Sequence, residues 1–263
     1  SIMGGNNPLV IIDGISSDLV TLSTIYPSDI EKFEVLKNAS ETAQFGSRGA
    51  AGVIIVTTKK GRDGKFQISY DGNWGWESVY KNLEMLSASD YIKTAQQLGV
   101  HYFNGGNNVD YTALPIRIGT MNNHHISFSG GTKESNYRTS VAYTGRETVI
   151  RQIGYNNYVA KLDLTQLAFD NYLTIDFGIF GSSQSNRNIA DTQALFYAAT
   201  TQNPTLPSNW NGKGWAINPT ANQIAPPQAR LLVKDEVFNQ NLNSHISLRF
   251  KLLSELTLDV FGA

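Results

Sequence analysis

The sequence predicts a mostly β fold, a β-α-β segment followed by antiparallel up-and-down strands of an incomplete transmembrane β-barrel. Three observations carry that prediction. Residues 1–62 hold short apolar runs punctuated by glycine, and residues 63–263 hold long runs of strict apolar and polar alternation. The connections between the long runs also fall into two lengths, tight and extended.

Pro8 to Ile12 reads as a buried strand. From Asp29 to Gly61 the chain reads DIEKFEVLKNASETAQFGSRGAAGVIIVTTKKG, in which Phe33, Val35 and Leu36 mark a second strand. Asn38, with Glu41 three residues on, has the spacing of a capping box and predicts a short helix. Gly46 suits the positive φ of the residue just past that helix, and Gly49 and Gly52 follow at intervals of three. This spacing is neither G-x-G-x-x-G nor a P-loop, and it leads into a strand rather than a helix N-terminus. It is therefore read as three close backbone approaches and not as a phosphate site. Val53 to Val56 is apolar on both faces, as a fully buried strand is, and Lys59-Lys60-Gly61 ends it in solvent.

Gly61 to Gly64 marks the expected boundary between a first unit, 1–62, and a second, 63–263. In the second unit Phe66, Ile68, Tyr70, Trp74 and Trp76 alternate with Gln67, Ser69, Asp71 and Asn73. Ile126 and Phe128 and the odd positions of Tyr137 to Gly145 repeat the pattern. Tyr158, Ala160, Leu162 and Leu164 oppose Asn157, Lys161 and Asp163, and Leu173 to Ile179 alternates with Thr174 and Asp176. Leu242, Ile246, Leu248, Phe250 and Leu252 oppose Asn243, His245, Ser247, Arg249 and Lys251, and Glu255 to Phe261 begins a seventh strand.

Strands of about 9 to 13 residues exceed the roughly five or six usual in soluble sandwiches and match the roughly 9 to 11 of tilted membrane strands. Tight turns at Gly131 to Ser135, Gln166 to Asn171 and Leu253-Ser254 follow the second, fourth and sixth strands. Long connections at Glu77 to Asn123 and Asn186 to Val237 follow the first and fifth. In an antiparallel meander this parity puts the tight turns at one end and the long loops at the other, as in outer-membrane barrels. Trp74, Trp76, Tyr137, Tyr155, Tyr158 and Tyr172 fall near strand ends, where interfacial girdles sit. Within the first long loop, Ser89 to Leu98 followed by Gly99 reads as a helix.

With 21 basic and 22 acidic residues the net charge is -1, so no field draws the chain to nucleic acid or an anionic bilayer. The chain has no cysteine, hence neither a disulfide frame nor a thiolate metal site. No apolar run approaches the roughly 18 residues of a membrane-spanning helix. The first residues lack the basic and apolar regions of a signal peptide, and a fragment of a longer protein is expected. His124 and His125 are adjacent in a strand and face opposite ways, so they cannot share a metal ion. Ser78 and Lys81 have S-x-x-K spacing without the partner K-T-G. No enzyme and no cofactor is expected.

The ordered matches Ile12-Asp13-Gly14, Asp29-Ile30-Glu31, Glu34 to Lys37, Ala39-Ser40, Gly46 to Ala50, Gly52 and Thr57 to Lys59 closely resemble the C-terminal plug of SusC/RagA-like TonB-dependent outer-membrane receptors. Phe45 stands where that family usually shows tyrosine, and Ser127 to Gly131 resembles the hairpin at its second and third barrel strands. The resemblance implies a plug motif comprising Asp13, Gly14, Gly46, Arg48, Gly49 and Gly52. It also implies a location in the Gram-negative outer membrane, among its lipid, and import of a glycan or peptide. The implied partners are the TonB complex, through a segment outside this chain, and a SusD-like surface lipoprotein. In the second long loop Asn209, Trp210, Asn211 and Trp215 combine flat aromatic faces with amide donors suited to a sugar or peptide, and Tyr102 is the candidate in the first. These aromatics could equally pack the loops onto themselves. Arg48, read as buried, is expected to pair with carboxylates or carbonyls of the wall, with Asp163 and Asp176 as candidates. The competing reading of the chain is a soluble β-sheet module for carbohydrate binding or adhesion.

Overall fold

The computed structural model describes residues 7–209, 214–219, 226–253 and 255–263. Its first sheet is built from β1 (Leu9–Ile12), β2 (Ile15–Ser17), β3 (Ile30–Leu36) and β4 (Val53–Thr58), in the order β2-β1-β4-β3. β1 runs parallel to β4, and the other pairs are antiparallel. Asp13 (φ 50°) and Gly14 (φ 87°) form the two-residue turn between β1 and β2, a conformation that aspartate tolerates and glycine favours. Helix α1 (Leu19–Thr24) follows, and the Asp18 carboxylate caps it by accepting from the Thr21 amide at 2.7 Å.

Between β3 and β4 the predicted helix is shorter than its sequence pattern. Helix α2 spans only Ala39–Thr42 before the chain tightens into a 3-10 stretch, Ala43–Gly49. The capping box does not form, because the Asn38 side chain makes no cap and its carbonyl instead receives the amides of Glu41 and Thr42. The three glycines also serve different ends. Gly46, at φ 60° and ψ -148°, occupies backbone space that only glycine enters readily, although a Cβ there would meet nothing within 4 Å. Gly49 supplies room, since a Cβ there would lie 2.9 Å from the Thr42 carbonyl oxygen and 3.1 Å from the Phe45 Cβ. Gly49→Ala should therefore cost about 1 to 3 kcal/mol. Denaturant unfolding of the full-length protein checks this, and an unshifted transition contradicts it.

The second sheet has seven strands: β5 (Gly64–Glu77), β6 (Gly119–Gly131), β7 (Ser135–Glu147), β8 (Gly154–Ala168), β9 (Leu173–Ile189), β10 (Lys234–Lys251) and β11 (Thr257–Gly262). They pair in sequence order as an antiparallel meander, leaving β5 and β11 as edges. Several strands outrun the alternating pattern. In β9 and β10 the ladder continues through polar pairs such as Gln184 with Asn239 and Arg187 with Glu236, where hydrogen bonding persists after hydrophobic periodicity ends. The loop end also carries α3 (Ala88–Leu98), α4 (Thr192–Thr201) and α5 (Pro227–Leu231). Gly99, at φ 65°, closes α3 as its sequence predicts.

The two faces of this sheet differ as its alternation requires. One bears Ile68, Tyr70, Val141, Tyr158, Ile246 and Val260 in the open. The opposite face receives the first sheet, where Val10, Ile12, Ile25 and Val56 meet a small apolar patch of Ala142, Val159 and Phe180. Tyr155 departs from the girdle pattern, since its parity with Asn157 and Val159 turns it to the face that holds the first sheet.

Candidate functional site

Where the small sheet meets the wall, the central group is Asp29, only 2% exposed. The turn Pro27–Asp29 places it, with the Asp29 amide donating to the Tyr26 carbonyl at 2.9 Å and its own carbonyl accepting from Lys59 at 2.7 Å. The wall answers from β6 and β7, whose register brings residues 125, 127, 129, 138, 140 and 142 to one face. Arg138 Nη2 donates to Asp29 Oδ1 at 3.0 Å and Ser140 Oγ donates to Oδ2 at 2.7 Å. His125 Nε2 lies 3.0 Å from the same Oδ2, and Asp71 Oδ2 lies 3.5 Å from the other ring nitrogen. The Tyr26 ring stacks on His125 at 4.7 Å with an interplanar angle of 3°. Burial pushes the Asp29 carboxyl up, but hydrogen bonds from Ser140 and Arg138 and the nearby His125 outweigh it and hold the group below the usual carboxylate range.

Further ties flank this one. Asn157 Nδ2 donates to the Thr24 carbonyl at 3.2 Å, and Lys60 Nζ lies 3.6 Å from Asp176 Oδ1. Together they form a polar set of contacts between the two sheets, buried at Asp29, His125, Ser140 and Asn157 and part-exposed at Lys60 and Asp176.

The expectation for Arg48 is corrected here. Arg48 is exposed and donates to Ser16 Oγ on β2. Gly49, not Arg48, fills the tight position of that turn, and among the described residues the guanidinium meets Ser16 rather than Asp163 or Asp176. Asp163 instead pairs with Lys161 on its own strand, and Asp176 accepts from Thr165 at 2.7 Å. The buried charge of the small unit is thus a carboxylate, and the wall supplies the cation. Asp13, by contrast, ties strand ends within its sheet, accepting from the Thr58 amide at 2.8 Å and the Thr58 hydroxyl at 2.5 Å.

At the loop end the two long connections are stitched to each other. Gly105 donates to Thr205 Oγ1 at 2.9 Å, Asn203 Nδ2 to the Phe103 carbonyl at 2.8 Å, and the Tyr111 hydroxyl to the Leu206 carbonyl at 3.2 Å. Burial at this seam pushes the Tyr111 phenol up to about 12. Tyr102 accepts from Gln96 Nε2 at 3.0 Å and meets Tyr91 edge-on, so it is engaged with α3. Asn209 is exposed and Trp215 half-buried in the other loop, whereas Trp210 and Asn211 lie outside the described residues, as does Ser254 of the last tight turn.

Tyr26, Asp29, His125, Arg138 and Ser140 form the most strongly interconnected polar cluster at the interface. Alternation assigned the wall residues a face, but pairing across more than 90 residues of sequence left no local signal.

Residues 2–53 match the TonB-dependent receptor plug domain. The TonB-dependent receptor SusC of Bacteroides thetaiotaomicron is 29% identical over 98% of this chain and 29% of its own length. The TonB-dependent receptor P3 of Formosa agariphila is 30% identical over 74% of this chain and 19% of its own. Among solved structures, the RagAB peptide transporter superposes with a TM-score of 0.78 at 18% identity, over 98% of this chain and 34% of that one. The chain therefore spans about a third or less of the length of these relatives. Plug match, relatives, two-sheet architecture and wall parity agree: the chain belongs to the SusC/RagA-like TonB-dependent receptors.

Proposed function

We propose that the whole receptor imports glycans or peptides across the Gram-negative outer membrane, powered through the TonB complex and capped by a SusD-like lipoprotein. Residues 1–62 serve as the end of the plug and residues 63–263 as the first part of the wall. The observation that carries this reading is the two-faced seven-stranded sheet, with exposed apolar side chains on one side and Arg138, Ser140 and His125 gripping the small sheet from the other. Among the described residues no second sheet covers the apolar face, which speaks against a soluble adhesion module. An apolar surface of that extent needs lipid. Among the similar proteins, SusC is a TonB-dependent receptor and RagAB a peptide transporter.

Uptake of labelled oligosaccharides and peptides by cells expressing the full-length receptor tests this. Accumulation should vanish when the energy-transducing partner is deleted or the proton-motive force is collapsed. Uptake that survives both treatments contradicts the reading.

Asn209, Trp210, Asn211, Trp215 and Tyr102 remain candidates for ligand contact at the outer loops. Replacing Trp210 and Trp215 with alanine in the intact receptor should weaken ligand binding by about 1 to 3 kcal/mol if each ring stacks on the ligand. Unchanged affinity by calorimetry assigns both to loop packing.

A further inference from the structure

Above the Asp29 tie, toward the long loops, a cleft of about 580 Å³ opens between the plug segment 23–28 and the plug-facing side of β5 to β9. That volume falls within the roughly 300 to 1,000 Å³ of small-ligand sites. Its composition is distinctive, because among the described residues not one that lines it is charged. Four carboxamides, Asn73, Asn123, Asn157 and Gln184, and two phenols, Tyr26 and Tyr155, supply most of its polar chemistry. Hydroxyl, proline and aliphatic groups make up the rest.

From this we infer that the cleft is a binding site for a neutral, polyhydroxylated ligand, a segment of an uncharged oligosaccharide. The inference rests on the importer reading and narrows its substrate class. Each carboxamide carries two donors and an acceptor, which complement sugar hydroxyls that act as both. Tyrosine rings offer flat apolar faces with a polar tip, suited to the C–H face of a pyranose. An ionised terminus, carboxylate or sulfate would find no counter-charge in the lining and would lose hydration on entry.

One lining residue holds a buried acceptor that no protein group uses. Asn157 is 6% exposed and donates to the Thr24 carbonyl, yet its Oδ1 accepts nothing. Asn73 and Asn123 are linked by a 2.7 Å hydrogen bond that orders them along one rim. The charged groups of the interface, Asp29, Arg138 and His125, lie outside the lining, with Tyr26 stacked over His125 between them and the cleft.

Calorimetry on the purified full-length receptor decides this. The probes are neutral pentasaccharides of glucose, xylose and mannose, a galacturonate pentasaccharide and a pentapeptide with free termini. At least one neutral sugar should bind, and Tyr155→Ala and Gln184→Ala should each weaken it about five- to tenfold, the loss expected for one ligand contact. Unchanged melting temperatures would show both variants folded, and Tyr155→Phe should restore the stacking part of the affinity. Binding of only the acidic sugar or the peptide, binding by no neutral sugar, or neutral binding indifferent to both alanine variants overturns the inference. Any of those results alongside energy-dependent uptake leaves the importer reading intact. Sugar binding that obeys the variants but without energised uptake keeps the cleft and removes the importer.

Discussion

Asp29→Ala in the full-length receptor is expected to loosen the plug from this part of the wall by about 3 to 5 kcal/mol, the cost of leaving a buried charge unpaired. The substitution strands Arg138, whose side chain is 13% exposed, and His125, at 1%, without the carboxylate both of them face. The loss should register as accelerated proteolysis of the plug and as added conductance in planar bilayers, with the barrel's own unfolding little changed. Asp29→Asn, which keeps an acceptor oxygen for one of the two donors, Ser140 or Arg138, should lose less. Acid should imitate the alanine variant. Because the folded Asp29 carboxyl sits below its ordinary range, its contribution is present in full above the unfolded carboxylate pKa and is lost as pH falls through the lowered folded value. Plug release in wild type should therefore rise on acidification below the ordinary carboxylate range, and that rise should be absent in Asp29→Ala. Equal proteolysis rates in wild type and alanine variant at neutral pH would falsify the role given to Asp29.

The second large effect belongs to the outer face. Val141 lies mid-strand in β7 between Ile126 and Ala160 and is 53% exposed. Val141→Arg should destabilise the receptor refolded in lipid vesicles by about 2 to 4 kcal/mol, as a guanidinium near the bilayer midplane does. On a water-facing surface the same change should stay within about 0.5 kcal/mol. Guanidinium titration of vesicle-embedded protein separates the two outcomes, and the smaller value would return this face to water.

The wall was legible because alternation with period two survives any tertiary context in which one face is apolar. Val141, Tyr158 and Ile246 fall on the expected side for that reason. Loop parity was equally readable, since chain direction reverses at every antiparallel step. Strand ends were not, because polar ladders such as Gln184 with Asn239 carry no hydrophobic signature.

At the plug, sequence order gave the strands and the glycine turn but misassigned the interface charge. A buried plug charge matched by the wall was the right physical expectation, and it was attached to Arg48 because that residue sits among glycines. Local crowding selects the smallest side chain, so Gly49 took the tight place and Arg48 turned outward. Asp29 precedes an ordinary strand and shows nothing unusual until β6 and β7 are folded beside it. The uncharged cleft was hidden for the same reason, its carboxamides being scattered over four strands.

The central claim, a wall with lipid on one face and plug on the other, is tested most directly by nitroxide labels placed singly along β8 of the full-length receptor in liposomes. Labels at 158, 160, 162 and 164 should collide readily with dissolved oxygen and poorly with a water-soluble nickel chelate, while those at 157, 159, 161 and 163 should be shielded from oxygen by the packed plug. A period of two in the accessibility ratio, peaking at the even positions, is the predicted result. Nickel access at positions 158 to 164 without alternation would contradict it.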